Sequence, residues 1–500
     1  MQHISGNDRN QMQFLSLEEI VSEDSWARVI DLFVDLLPLN ELGFKHTVLQ
    51  KEGRPPYNPS LLLRLYMYGY KYSIRSSRKL EHACTVNVEL WWLLQGLKPS
   101  FRSIAYFRKE NAAALKAAFR YFVILLQELE LIEGQTIAID SFKVRAQNSI
   151  RNNFNQKKVD RHINYIDSKI EQYEQQLESA DAIESEEVKI KISKQKERRH
   201  KYEAVEKKLV DSNETQISII DADAKALHVN NNGTEVGYCI QAATDRKHKL
   251  FVHADIGAST DKRELASMAL EVKNLLDLKQ FNTLSDAGYS TGDQLEICKC
   301  AGIVTYSAPM PSTSPSSDCI PTAEFVYIKE TDGYICPSGE FMNKVGNGTK
   351  RENYTAFIYK TTACRTCAIR FDCTKNKIGR VIERTQYQDV IDENKERVLS
   401  NPDYYKLRQQ IIEHQFGVLK RQWGFSFTLM KGKVNVLSEV NLLMMVYNLS
   451  RSISILGLNE LKKKLSSFSS CFLTCFEFIT MKINPFAGPG RLKIILSGLN

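Results

Sequence analysis

Between the short apolar run TIAID, Thr136 to Asp140, and the next strand-like runs, TQISIIDAD, GYCIQAATD and KLFVHADI, the chain interposes a long, highly charged segment. Within it Ile163, Ile166, Ile170, Tyr173, Leu177 and Ala180 recur at spacings of 3, 4, 3, 4 and 3, the period of one helix packing on another. The seam loses register across Asp181 to Glu187 and resumes through Val188, Ile192, Tyr202, Val205 and Leu209. The first strand is therefore cut off from its neighbours by an excursion. We read residues 157–210 as an antiparallel helical hairpin inserted into a larger α/β domain.

Beyond the insertion, turn residues Asn230 to Gly233 and Asp245 to His248 separate the strand runs. A helix from Asp261 to about Leu278, the strand FNTLSD ending at Asp286, a helix from Thr291 to Ala301 and the strand GIVTYSAP continue an α/β alternation. Residues 309–380 break it, first with the Ser/Pro-rich PMPSTSPSSD and then with a cysteine-bearing stretch. Asn401 to Trp423 reads as a helix, and an apolar helix follows through Asn448.

Upstream, residues 1–132 are helical with little β signal. Asn58 before Pro59 marks a helix start, since Asn caps and Pro at the first turn loses no hydrogen bond. That helix runs to Tyr72, a polar break follows at Ser73 to Ser76, a second helix extends through Trp92, and a third opens at Ser100 or Ser103 and runs to Leu131. Tyr66, Tyr68, Tyr70 and Tyr72 lie among Arg64, Lys71, Arg75, Arg78 and Lys79. This mixture fits either a nucleic-acid surface or a packed tyrosine-rich helix with a solvated basic face. The expected organisation is a helical domain over 1–132, a catalytic domain over 133–450 with insertions at 157–210 and 309–380, and a helical C-terminal tail over 451–500.

With 67 Lys plus Arg against 59 Asp plus Glu, the net charge is +8, basic without resembling a histone-like tail. A 43% hydrophobic content supports packed cores and argues against disorder. The start MQHISGNDRNQ lacks an apolar core behind a basic stretch, which leads us to expect a cytoplasmic protein. The apolar runs Asn441 to Leu456 and Phe468 to Met481 are interrupted by Arg451, Ser470 and Glu477, so no membrane segment is expected.

Three carboxylates stand out by placement: Asp140 and Asp286, each ending a strand, and Glu413 in the helix YYKLRQQIIEHQFGVLKRQWGF. If the fold brings them together, hard oxygen donors of this kind suit a pair of Mg²⁺ or Mn²⁺ ions acting on a phosphodiester. Strand-end aspartates also often only cap loops.

The sequence resembles the DDE transposases of bacterial insertion sequences, in particular those with an N-terminal helical domain, a helical insertion after the first Asp and a cysteine-bearing insertion before the Glu. The matching stretches, spread over residues 13–450, are PPYNPSLLLRLYMYGYKYSIRSSRKLE, NVELWWLLQGLKPSFRSIAYFRKEN, TIAIDSFKVRAQNS, GYCIQAATD, LSDAGYS and RQQIIEHQFGVLKRQWGF. The resemblance implies a multidomain α+β or α/β chain in which an N-terminal helical DNA-binding domain, with basic residues such as Arg75, Arg78 and Lys79 on DNA, precedes an RNase H-like catalytic domain. It implies Asp140, Asp286 and Glu413 as metal-binding catalytic residues, cleavage of element ends, strand transfer into target DNA, and at least a homodimer holding two terminal inverted repeats in the nucleoid. A transposase-derived protein that binds DNA without cutting it, and a host nuclease on the same fold, are the alternatives.

The family's signature around the Glu is Tyr, two residues, Arg, three residues, Glu, six residues, Lys. Tyr405, Arg408, Glu413 and Lys420 keep the outer gaps, but four residues separate Arg408 from Glu413. At ~100° per residue that offset turns Arg408 about 140° away from Glu413, whereas Lys420 shares its face and is the better candidate for a DNA phosphate. Ser141 also stands where the family usually has Gly.

Cys336 in YICPSGE, with Cys364, Cys367 and Cys373 in CRTCAIRFDC, fits either a tetrahedral structural zinc site or buried thiols. Cys471 and Cys475 read as core. His228, His253 and His414 are assigned no role. Gly237, Tyr238 and Gln241, a GY-x-x-Q stretch, read as sheet packing at the catalytic face.

Overall fold

A computed structural model describes residues 10–467 apart from 13, 15, 50, 54, 180–181, 213, 230–232, 310–318 and 352. The seam's last position, Ala180, the turn residues 230–232, Cys471, Cys475 and most of the expected tail lie outside the described residues.

The chain opens with helices α1 (Leu17–Ile20), α2 (Trp26–Asp35), α3 (Pro59–Lys71), α4 (Ser77–Val86), α5 (Val88–Leu93), α6 (Phe101–Glu110) and α7 (Ala112–Glu128). The α3 start follows the sequence logic, with the Asn58 side chain accepting from the Ser60 amide and Pro59 at the first turn. Two expected single helices are each split at an asparagine. Asn87 ends α4 and caps α5 by accepting from the Leu90 amide. Asn111 separates α6 from α7, its side-chain oxygen accepting from the Lys45 amide. The tyrosine row resolves to packing: Tyr66, Tyr68 and Tyr70 are buried and only Tyr72 is exposed.

The central sheet begins with β1 (Thr136–Arg145). A two-residue ladder, β2 (Asn153–Phe154) with β3 (Ile217–Ser218), then clamps the base of the hairpin formed by α8 (Gln156–Ser179) and α9 (Ala182–Ser212). The hairpin is antiparallel, as bonds from Gln156 to Glu206 and from Arg199 to Asp167 show. Only Ile217 and Ser218 of the expected strand TQISIIDAD are extended.

Next come β4 (Lys225–Val229), β5 (Gly233–Asp245), β6 (Phe251–Ile256), helix α10 (Leu265–Leu276), β7 (Phe281–Ser285), α11 (Gly292–Cys300) and β8 (Ile303–Ser307). The sheet order is β6-β5-β1-β7-β8, with β4 sharing the outer edge of β5. β5 is antiparallel to β1, β4 and β6, whereas β7 runs parallel to both β1 and β8. Gly237 is required where β5 crosses Val144, because a Cβ there would stand 2.1 Å from the Val144 carbonyl oxygen.

The segment expected to be only an interruption is a second folded unit. Strands β9 (Val326–Ile328), β10 (Gly333–Ile335), β11 (Phe341–Lys350), β12 (Thr355–Lys360) and β13 (Ile382–Thr385) form an antiparallel sheet, with the short helix α12 (Arg370–Cys373) beside it. Its small core holds Phe325, Tyr334, Met342, Tyr359, Cys373 and Ile382.

The chain then returns through α13 (Gln388–Ser400) and α14 (Pro402–Gly417), a π-helical turn at Val418–Gln422, and α15 (Lys433–Leu456). Ile411 and Ile412 of α14 pack on Ala138 and Leu284, covering one face of the sheet. Helix α15 is buried along most of its length, and one continuous core runs from Phe33 and Phe122 of the N-terminal helices through Leu443 and Met444 to Phe251 and Val252. The N-terminal helices therefore share their core with the sheet, and α15 crosses the expected boundary at residue 450. Among the described residues no helix is long and apolar enough to cross a membrane.

Candidate functional site

Strand β1 pairs with β7 from Thr136 and Asn282 only as far as Ala138 and Leu284, and β7 stops at Ser285 while β1 continues to Arg145. The two parallel strands part at this point, which is where open α/β sheets present ligand crevices. A cleft of about 460 Å³ opens there, lined by Asp140, Asp286, Asp261, Lys143 and Lys420.

Asp140 is strongly perturbed. Burial pushes its carboxyl up to about 6, the nearby charges of Asp286 and Asp261 add to the rise, and the Arg408 guanidinium opposes it. Arg408 Nη1 stands 2.7 Å from Asp140 Oδ2, and the Ser141 amide donates to Asp140 Oδ1 at 2.8 Å. Asp286 caps the turn that follows β7 by accepting from the Gly288 amide at 2.8 Å. A Cβ on Gly288 would lie 3.0 Å from Asp286 Oδ1, so a glycine lets the carboxylate fold back over its own turn.

Helix α14 brings Arg408, not Glu413, to Asp140. Arg408 shares the sheet-facing side with Ile411 and Ile412, whereas Glu413 is exposed and absent from the cleft lining. This is the angular separation that the four-residue gap implies. Tyr405 is half-buried one turn before Arg408, and burial raises its pKa.

Lys420 does reach the cleft. Its ammonium lies 5.6 Å from the centroid of Phe142, whose ring packs 4.7 Å from that of Phe416. The π turn at Val418–Gln422 adds a residue to the helical repeat here, turning Lys420 back toward the sheet. Burial lowers the Lys420 pKa, and the Lys143 charge lowers it further.

The N-terminal basic residues divide. Arg78 and Lys79 are exposed, with the Arg78 guanidinium 5.4 Å from the Phe101 centroid. Arg75 is buried, donating to the carbonyls of Phe427 and Gly424 and to Glu439 Oε1 at 3.2 Å. Its guanidinium is consumed inside the protein, which corrects the expectation that it faces DNA.

The four candidate zinc cysteines converge on one small pocket, together with Met342 and Phe325. Burial raises the Cys373 pKa, and the neighbouring Cys364, Cys336 and Cys367 thiols act in the same direction. No disulfide joins the described cysteines. Among the described residues no three His, Cys, Asp or Glu side chains stand close enough to hold a metal ion as they are placed.

Asp261 is a cleft residue that no sequence pattern marks, and Gln241, expected to serve sheet packing, is bonded to it. Gln241, fully buried, donates to Asp261 Oδ1 at 2.6 Å, and the buried Tyr289 hydroxyl donates to Gln241 Oε1. The GY-x-x-Q stretch was the available signal, because a glutamine in the middle of a buried strand needs a polar partner.

A family model described as a transposase domain (DUF772) matches residues 15–110, and another described as a transposase DDE domain matches residues 335–453. The first match covers α1 to α6, and the second runs from the cysteine-bearing unit through α14 into α15. Asp140 and Asp286 lie between the two. The class is thereby defined as a transposase, an enzyme that acts on DNA. More narrowly, the two matches support a DDE transposase of the insertion-sequence kind, a family that generally uses divalent metal ions. No curated protein and no solved structure matches it.

Proposed function

We propose that this transposase cuts the ends of its own element and joins the freed 3′-hydroxyls to target DNA at the cleft where β1 and β7 part. The observation that carries the reading is the pairing of Asp140 and Asp286 at that divergence, within a chain whose flanking segments match transposase models. The strand order β6-β5-β1-β7-β8, with three antiparallel strands followed by two parallel ones, supports an RNase H-like catalytic domain over 133–450.

Asp140, Asp286 and Glu413 are the proposed holders of Mg²⁺ or Mn²⁺, and their oxygen donors fit such hard cations. Bound there, the ions would activate a water or 3′-hydroxyl and stabilise the leaving oxygen. Arg408 occupies one Asp140 oxygen and must move off it for that oxygen to be used, and α14 must present Glu413 to the cleft. Lys420 and Lys143 line the cleft where a phosphate backbone would lie, and cations placed so neutralise phosphate charge. Arg78, Lys79 and the other exposed basic groups of the N-terminal helices, over 1–132, are assigned to terminal inverted repeats. Two ends must be held together, so the working form is a homodimer or larger, acting at the nucleoid.

Cys336, Cys364, Cys367 and Cys373 are the proposed ligands of a structural zinc ion, which their thiolate chemistry and shared pocket support. Metal analysis of the purified protein tests this: one zinc per chain is expected, and it should be lost in Cys367→Ser.

The transposase reading is tested by incubating the protein with DNA carrying the ends of its own locus and Mg²⁺ or Mn²⁺. Metal-dependent nicking at 3′ ends by wild type, absent in Asp140→Asn and Glu413→Gln variants that still bind DNA, is the expected result. Binding without cleavage in either metal would refute it.

A further inference from the structure

We propose that Asp261 is a further metal-ligating carboxylate of this cleft, held in place by a buried Gln241–Tyr289 brace. The proposal rests on the metal-dependent reading above and names a residue that reading does not include.

Asp261 lines the same cleft as Asp140 and Asp286. It approaches Asp286 across Gly288: a Cβ built on that glycine would lie 3.0 Å from Asp286 Oδ1 and 3.8 Å from Asp261 Oδ2. A side chain at position 288 would crowd the Asp286 carboxylate while resting in ordinary contact with Asp261. The Asp261 charge is also felt at Asp140, alongside that of Asp286.

Its orientation is enforced from behind. Gln241 and Tyr289 are both fully buried, and the tyrosine hydroxyl holds the glutamine carbonyl so that the amide Nε2 points at Asp261 Oδ1. Gly257 leaves room for this amide, since a Cβ there would sit 2.9 Å from Gln241 Nε2. A neutral donor of this kind fixes one carboxylate oxygen without neutralising the charge and leaves Oδ2 for another partner. Asp140, by contrast, carries a full counter-charge from Arg408. Partners behind a ligand that set its orientation are the usual support of metal-binding carboxylates. Glu413 is absent from the cleft lining, whereas Asp261, in the loop between β6 and α10, lines it together with Asp140, Asp286 and Glu235.

The test is Mn²⁺ binding to the full chain with end-sequence duplex DNA, read from the electron paramagnetic resonance signal of free Mn²⁺. Wild type is compared with Asp140→Asn, Asp261→Asn and Asp261→Ser, with melting curves to verify folding. At least tenfold weaker binding in Asp140→Asn and in both Asp261 variants supports the proposal. Weak binding in Asp140→Asn with Asp261 variants within twofold of wild type overturns it and leaves the metal reading standing. Mn²⁺ binding that Asp140→Asn leaves unchanged defeats the metal reading, and Asp261 falls with it.

Discussion

Replacing Asp140 by Asn should make the metal-free protein relatively more stable as the pH rises. The folded-state pKa of Asp140 is raised from 3.8 to about 6, so the protonated form is the one the fold prefers. The stabilisation is therefore fully present below 3.8 and lost as the pH climbs through about 6. The side chain is 19% exposed, so the shift converts without a large discount for solvent screening. A displacement of this size amounts to about 3 kcal/mol over the whole titration, of which about 1.4 kcal/mol falls between pH 5 and pH 8. Asn has no such titration. Its own cost, an Arg408 left without a partner, is the same at both pH values and cancels in the comparison. The assay is the melting temperature of variant minus wild type in EDTA, at pH 5 and at pH 8. For a domain of this size the difference should grow in the variant's favour by roughly 2 °C from pH 5 to pH 8. An equal difference at both pH values, or one that shrinks toward pH 8, would show that burial does not dominate at Asp140.

Arg408→Ala removes the charge that holds Asp140 down, so the acid limb of the cleavage-rate profile should move to higher pH; a limb that stays in place refutes this role. Glu439→Ala should cost about 3–5 kcal/mol in thermal unfolding, because Glu439 is fully buried and Arg75 would be left charged without its partner. Lys79→Ala on the exposed face should leave the melting temperature within a degree of wild type while weakening binding to end DNA. Gly237→Ala forces a Cβ against the Val144 carbonyl and should cost about 1–3 kcal/mol, measured by the same melting assay.

What the sequence shows of the fold depends on how local the cause is. The Asn58–Pro59 start of α3 and the seam of the α8–α9 hairpin are written in neighbouring residues, and both appear in the structure. The breaks at Asn87 and Asn111 are not. Asn111 ends a helix because its side chain accepts from the Lys45 amide, 66 residues away. The sheet from β9 to β13 was hidden for another reason. Strands β9 and β10 are only three residues long, and the longer β11 is mostly exposed, so it carries no buried alternation.

The site divides along the same line. The placement of Asp140 and Asp286 at the cleft was legible because a carboxylate ending a buried strand is conspicuous, and parallel strands that part company leave it at a crevice. Arg75 was misread because a basic residue among tyrosines looks like a nucleic-acid surface, while its partner Glu439 lies 364 residues further on. Along α14 simple helix geometry was sufficient to separate Arg408 from Glu413, since the residue that covers Asp140 must share a face with the isoleucines that cover Ala138 and Leu284. It was insufficient for Lys420. An ideal helix places Lys420 with Glu413, and yet Lys420 lines the cleft while Glu413 does not. The difference is the π turn at Val418–Gln422. If α14 rotates to deliver Glu413 to Asp140, Arg408 leaves the carboxylate in the same motion, because the two side chains point about 140° apart on one rigid helix. Release of the counter-charge and arrival of the third carboxylate would then be a single event, and a disulfide that locks α14 in place should abolish cleavage without abolishing DNA binding.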